Sequence, residues 1–330
     1  MSIESEITSK FNWSKAQYEK RLLLMEAQLF REYNKSYIKI RTQINNLFEK
    51  MGSTPSLNHA MQYNRLNNIH VQIIGEMAEL NKNGLRMTEG YIKNEFANKY
   101  YEVGFGLEVP LQTNLRFGLL NAETIAASVV NPYDLIKWQS RFAGANVDLA
   151  QRIVQSNITD GLIRGQSYQQ ITRELKKTIG KSFSNDMMRI VRTEGARANS
   201  WGGLTGIEQA QSYAKEAGMK MAKLWISTLD DKTRDMHADM DQREEDETGG
   251  FTLPDGNWTQ APALSGLPEH DIHCRCTTGV SVDGVKSQTR FDNIEKKNVP
   301  YTSYNEYFQN KIKKTKAPIK KPAELKTKVS

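Results

Sequence analysis

The chain has 330 residues, 45 Lys plus Arg against 38 Asp plus Glu, a formal net charge of +7, two cysteines and 38% hydrophobic residues. At roughly 100–200 residues per domain the length suits about two domains, and two cysteines only two positions apart exclude a disulfide-framed secreted scaffold. No run approaches the ~18 apolar residues of a membrane span and the start is polar, so the expectation is a soluble protein made in a reducing cytoplasm, with no membrane partner.

From Ser14 to Met51 the apolar residues Tyr18, Leu22, Met25, Leu29, Tyr33, Tyr37, Ile40, Ile44 and Leu47 recur at steps of three and four. That spacing predicts one long amphipathic helix, ended by Gly52-Ser53-Thr54-Pro55. A second helical pattern covers 56–82, with Leu66, Ile69, Ile73, Met77 and Leu80 on one face. A weak break is predicted at Asn81–Gly84 and a third helix from Met87 to Tyr101. Residues 1–110 therefore read as a long helical hairpin region whose stripe serves as core.

Residues 111–183 read as a helical middle segment of short packed helices. Asn121 is a predicted cap, and Ser167 with Gln170 has the form of a capping box. Ser184 is read as the cap of a further long helix ending at Gly218. The period then switches to two over 221–228, which suits a strand. Asp230 or Asp231 is predicted to cap a helix reaching about Arg243, Phe251–Thr259 reads as a hairpin, and His273–Val282 reads as another strand. The fold class is thus mainly α: an elongated N-terminal helical region, a small α+β C-terminal domain at 184–284, a linker at 285–310 and a disordered basic tail at 311–330.

The tail holds eight Lys and one Glu, which leaves 37 basic against 37 acidic residues in the rest. The excess charge is therefore confined to the last twenty residues, among them Lys311, Lys313, Lys314, Lys316, Lys320 and Lys321. Any DNA contact is expected there, as non-specific phosphate binding. Between Asp230 and Glu247 nine carboxylates face three basic residues; this reads as a solvated acidic face rather than a cation site.

Chemistry-bearing residues cluster only in the last third. In an extended Cys274-Arg275-Cys276 both thiols share one side, with Cα atoms roughly 6.6 Å apart at ~3.3 Å per residue. With His237 as third ligand and His270 as fourth, they suit a structural zinc ion; reduced cysteines beside an ordinary histidine, or a disulfide, are the alternatives.

Taken in order, Arg192-Thr193-Glu194, Trp225-Ile226-Ser227-Thr228, Asp230-Asp231-Lys232-Thr233-Arg234, His237, Phe251, Pro254, Gly256 and His273-Cys274-Arg275-Cys276 resemble the shared domain of the phage head morphogenesis proteins, the Mu F-like minor capsid family. The chain departs from the family's His-Pro-Asn-like stretch before Cys-Arg-Cys, having His270-Asp271-Ile272-His273. The resemblance implies a late, low-copy virion component that joins the portal, capsid or scaffold proteins in the host cytoplasm and ends inside the head near the portal. It further implies a part in procapsid assembly and in DNA packaging or ejection. Arg192, Thr193, Glu194, Asp230 and Arg234 are expected to form a structural network, with no enzymatic role. The competing reading is a metal-assisted hydrolase or nuclease using His237 and nearby carboxylates; no HExxH string, nucleophile motif or phosphate-cradling loop accompanies it.

Overall fold

The computed structural model describes residues 3–51, 65–132, 136–284, 289–295, 297–300, 302–307 and 309–310. Two long helices, α1 (Ile3–Met51) and α2 (Arg65–Leu111), run against each other. The predicted stripes face inward: Met25, Leu29, Tyr33, Ile40 and Ile44 of α1 meet Ile69, Ile73, Met77 and Leu80 of α2 in one cluster. The turn residues 52–55 lie outside the described residues.

The expected break at Asn81–Gly84 is absent, and α2 continues through it. Gly84 serves close approach instead, because the Phe142 ring lies where a side chain would stand, 2.7 Å from an added Cβ. The helix stops one residue after Pro110, whose ring removes a backbone donor.

The middle segment is helical as expected. Helix α3 (Ala122–Ala127) is capped by the Asn121 side chain. Helix α4 (Trp138–Arg152) runs through a π-helical turn, Ile153–Thr159, into α5 (Asp160–Ile163). Helix α6 (Tyr168–Ser182) begins at the Ser167/Gln170 capping box. Ser184 caps nothing: it lies in a second π-helical turn, Phe183–Met187, through which α6 passes straight into α7 (Met188–Glu216). Helix α7 packs tightly along α2; at Gly202 a Cβ would overlap the Phe96 carbonyl.

Strand β1 (Met221–Ile226) follows and pairs antiparallel with β4 (Thr277–Val282), in register from Met221↔Val282 to Ile226↔Thr277. Between them lie α8 (Asp235–Ala238), the hairpin β2 (Phe251–Thr252) and β3 (Trp258–Thr259), and α9 (Pro268–Asp271). The predicted 230–243 helix is thus one turn. Strand β4 begins four residues later than expected because His273 adopts a left-handed φ of 59°, which turns the chain after α9.

Residues 285–310, expected as a linker, contain an antiparallel hairpin, β5 (Thr289–Asp292) and β6 (Lys297–Pro300), and a one-turn helix, α10 (Tyr304–Tyr307). The reason is buried polar anchoring that hydrophobic periodicity does not reveal. The Tyr304 hydroxyl donates to the Asp230 carbonyl at 3.0 Å and the Tyr307 hydroxyl to Asp292 at 2.8 Å. Asn12 of α1 also donates to Thr289.

Packing crosses the segment boundaries. One apolar cluster joins Ile7 of α1, Val103 and Leu107 of α2, Ile207 of α7, Met221 of β1 and Val280 of β4. The N-terminal helices therefore form one wall of the α+β part.

Candidate functional site

The loop before α8 turns tightly because the Asp230 carboxylate accepts from the Lys232 backbone and the Thr233 hydroxyl. Arg234 at the start of α8 reaches the carbonyls of His270 and Ile272, which fastens α9 beside α8. His237 is thereby held inward, edge-on to Trp225 and stacked on His270, with ring centroids 5.7 Å apart and an 18° interplanar angle.

Cys274 and Cys276 both point to this side, while Arg275 between them faces the other way and pairs with Asp230 through both nitrogens. Each sulfur lies 3.8 Å from His237 Nδ1, and all three side chains are buried. A hydrogen bond from Cys274, reinforced by His237, holds the Cys276 thiol well below its ordinary range; the same bond and burial push Cys274 up. His270 sits outside this trio of ligand atoms. Its Nε2 is 2.9 Å from Asp255 Oδ2, and Nδ1 has no hydrogen-bond partner among the described residues.

The expected Arg–carboxylate network divides in two. Glu194, 1% exposed, accepts from Arg141 at 3.0 Å and Arg197 at 2.8 Å, while Arg197 also donates to the Ser128 carbonyl. Arg192 instead meets Glu26 of α1 on a half-exposed face, and the buried hydroxyl oxygen of the half-buried Thr193 has no partner among the described residues. Asp230 and Arg234 belong to the second network, around the Cys-Arg-Cys turn. Arg141, Arg197 and Arg290 stand outside the residues that the sequence pattern singles out, and Arg275 enters it only within the Cys-Arg-Cys run. Arg197 was detectable from its position one helical turn after Glu194.

The acidic run is not simply a solvated face. Asp241 pairs with Arg290, Glu245 with Lys223, and Asp246 accepts from the backbone of Thr248 and Gly250. These carboxylates fasten loops. Lys311, Lys313, Lys314, Lys316, Lys320 and Lys321 lie outside the described residues.

Comparison with known proteins bears on the same segment. Residues 152–279 match the family described as Phage Mu protein F like protein. Over 296 residues the chain is 27% identical to the minor head protein GP7 of Bacillus phage SPP1, covering 87% of this chain and 92% of that one. Across residues 152–279 the chain is similar to the Mu F-like family of phage head morphogenesis proteins. The Mu F-like match runs from the end of α4 to the middle of β4, and so contains Glu194, Asp230, His237 and both cysteines. A protein of Enterococcus faecalis named an NAD(+)–arginine ADP-ribosyltransferase is 29% identical over 294 residues, 89% of this chain but 58% of that protein. The chain thus spans a little over half of that relative. No solved structure matches it.

Proposed function

We propose that the chain is a low-copy minor head component that associates with the portal during procapsid assembly and contacts packaged DNA through its lysine tail. The carrying observation is the similarity to the SPP1 minor head protein over 87% of this chain and 92% of that one, far more than the 152–279 segment alone. A capsid role fits the outer surface of those helices. Leu23, Leu24, Phe30 and Ile38 are each about half exposed on α1, and 100° per residue sets them within one flank of the helix. Val71 and Ile74 add exposed apolar surface on α2. Apolar surface of this kind marks a protein-binding face.

The reading is structural rather than enzymatic. His237, the residue on which a metal-assisted hydrolase would depend, is 2% exposed, enclosed by Trp225, His270 and two thiols, with no carboxylate among its metal-competent neighbours in the described residues. Water activation needs an open coordination position. The Enterococcus relative's named activity belongs to a protein that extends well beyond the matched region.

The test uses tagged portal protein from the same phage as bait, with the full chain. The wild type co-purifies with portal, and Leu23→Ser/Leu24→Ser/Phe30→Ser, folded by circular dichroism, does not. Absence of the wild type from portal complexes overturns the association. For the tail, replacing the six lysines with alanine in the full chain flattens the salt dependence of DNA binding, by about 0.9 in the log–log slope per lost phosphate contact. An unchanged slope removes the tail from DNA.

A further inference from the structure

We propose that Cys274, Cys276, His237 and His270 form a structural zinc site that pins the Cys-Arg-Cys turn to α8 and α9. The ligand atoms of His237, Cys274 and Cys276 all lie within 4.8 Å of one another, and their side chains are buried. Zn–S of ~2.3 Å and Zn–N of ~2.0–2.1 Å at the tetrahedral angle give an S···N edge of about 3.6 Å. Both observed S···N distances are 3.8 Å, so the three atoms already stand close to three corners of such a tetrahedron. Without an ion, one imidazole nitrogen must serve two sulfurs at the long end of hydrogen bonding. A cation serves all three, and two thiolates with imidazole select zinc among common divalent ions.

The fourth corner falls to His270. Its Nε2–H has an acceptor in Asp255, 2.9 Å away, and a histidine fixed in that tautomer presents a bare Nδ1. That Nδ1 is buried with no hydrogen-bond partner among the described residues, on a ring stacked against His237. A carboxylate behind a histidine is the usual outer support of a ligating imidazole. His270 stands outside the 4.8 Å group, so binding draws α9 toward the cysteines. The two thiol protons pass to solvent as the thiolates take up the ion.

The site answers a local need. Between β1 and β4 the chain has only one-turn helices and two-residue strands, and this stretch carries the Asp230–Arg275 pair and the Arg234 contacts. A closed four-ligand ion would hold three of its turns together.

The test uses the reduced full chain. Elemental analysis after dialysis finds one zinc per chain, both thiols resist Ellman's reagent until chelator removes the zinc, and cobalt substitution gives intense tetrahedral visible bands with thiolate charge transfer. Cys276→Ser loses these bands. Asp255 is on the surface, so Asp255→Asn folds normally and binds zinc about 10- to 100-fold more weakly. Wild-type chain that holds no zinc and gives no tetrahedral cobalt spectrum overturns the site, as does a Cys274–Cys276 disulfide in the native protein. If Cys276→Ser does not fold, the wild-type cobalt titration decides alone. Unchanged zinc affinity in Asp255→Asn removes His270 from the ligand set and refutes the four-residue site.

Discussion

Arg290 grips Asp241 with two hydrogen bonds, 2.7 and 3.1 Å long, and the two side chains are 4% and 5% exposed. The pair is fully engaged. Arg290 also donates to the carbonyls of Ser227 and Thr302, and Asp241 accepts from the backbone of Ser227 and Tyr304. One ion pair thus ties the chain just after β1, the turn after α8, the C-terminal hairpin and α10 together. Removing one partner of a buried pair strands the other's charge, at about 3–5 kcal/mol. Asp241→Ala or Arg290→Ala should therefore lower the urea midpoint steeply, whereas Asp241→Leu/Arg290→Met together should cost less than either single change. A double-variant loss equal to the sum of the two single losses would count against a coupled pair.

The Arg-Thr-Glu motif offers a contrast within three residues. Glu194 is buried between Arg141 and Arg197, so Glu194→Ala leaves the buried Arg197 guanidinium unpaired and should cost about 3–5 kcal/mol. Arg192 meets Glu26 on a half-exposed face, so Arg192→Ala should cost about 1 kcal/mol or less. Thermal unfolding of both variants checks the order. A larger loss at Arg192 would reverse the assignment.

Helix-scale packing was legible in the sequence, because a stripe such as Leu29, Tyr33, Ile40 and Ile44 can bury itself in only one way. The capping box at Ser167 was legible too, being a local rule. The course of the chain at Gly84 was not, since the glycine answers to Phe142, 58 positions away. Nor was the hairpin at 289–300: its anchors, Arg290 and Tyr304, find their partners through tertiary folding. At the Cys-Arg-Cys turn, alternation correctly put both thiols on one side. What it could not supply was the left-handed turn at His273 or the support of His270 by Asp255.

Two glycines separate close approach from idle flexibility. Gly202→Ala would drive a methyl into the Phe96 carbonyl and force α7 from α2, a backbone clash costing about 1–3 kcal/mol or more. Gly75 is exposed on α2 with nothing within 4 Å of an added Cβ, so Gly75→Ala should stabilise by about 0.5–1 kcal/mol. Melting temperatures moving in the same direction for both would contradict this packing.

The helical interface should also respond to pH. Burial lowers Lys15 and Lys99 to about 8, although the Lys99 ammonium donates to Ser14 at 2.9 Å beside Glu102. Below that value both are charged in the folded and unfolded chain, and the cost of burying the charge is present in full. As pH rises from about 8 toward 10.5 the unfolded chain holds more protons, so stability should rise, by an amount on the order of 1–3 kcal/mol. Above pH 10 it should fall, because burial keeps Tyr18, Tyr33 and Tyr91 protonated in the fold after they would ionise in the unfolded chain. Urea unfolding from pH 7 to 11 tests the sign, and Lys99→Met should reduce the rise.

The central claim is that this chain is built into the phage head. Quantitative mass spectrometry of heads purified from cells producing the phage that encodes it tests this most directly. The account predicts the intact chain in those heads at a small number of copies relative to the major capsid protein, and depleted when the α1 flank carries Leu23→Ser, Leu24→Ser and Phe30→Ser. Heads that assemble without it while the chain accumulates free in the lysate would contradict the account.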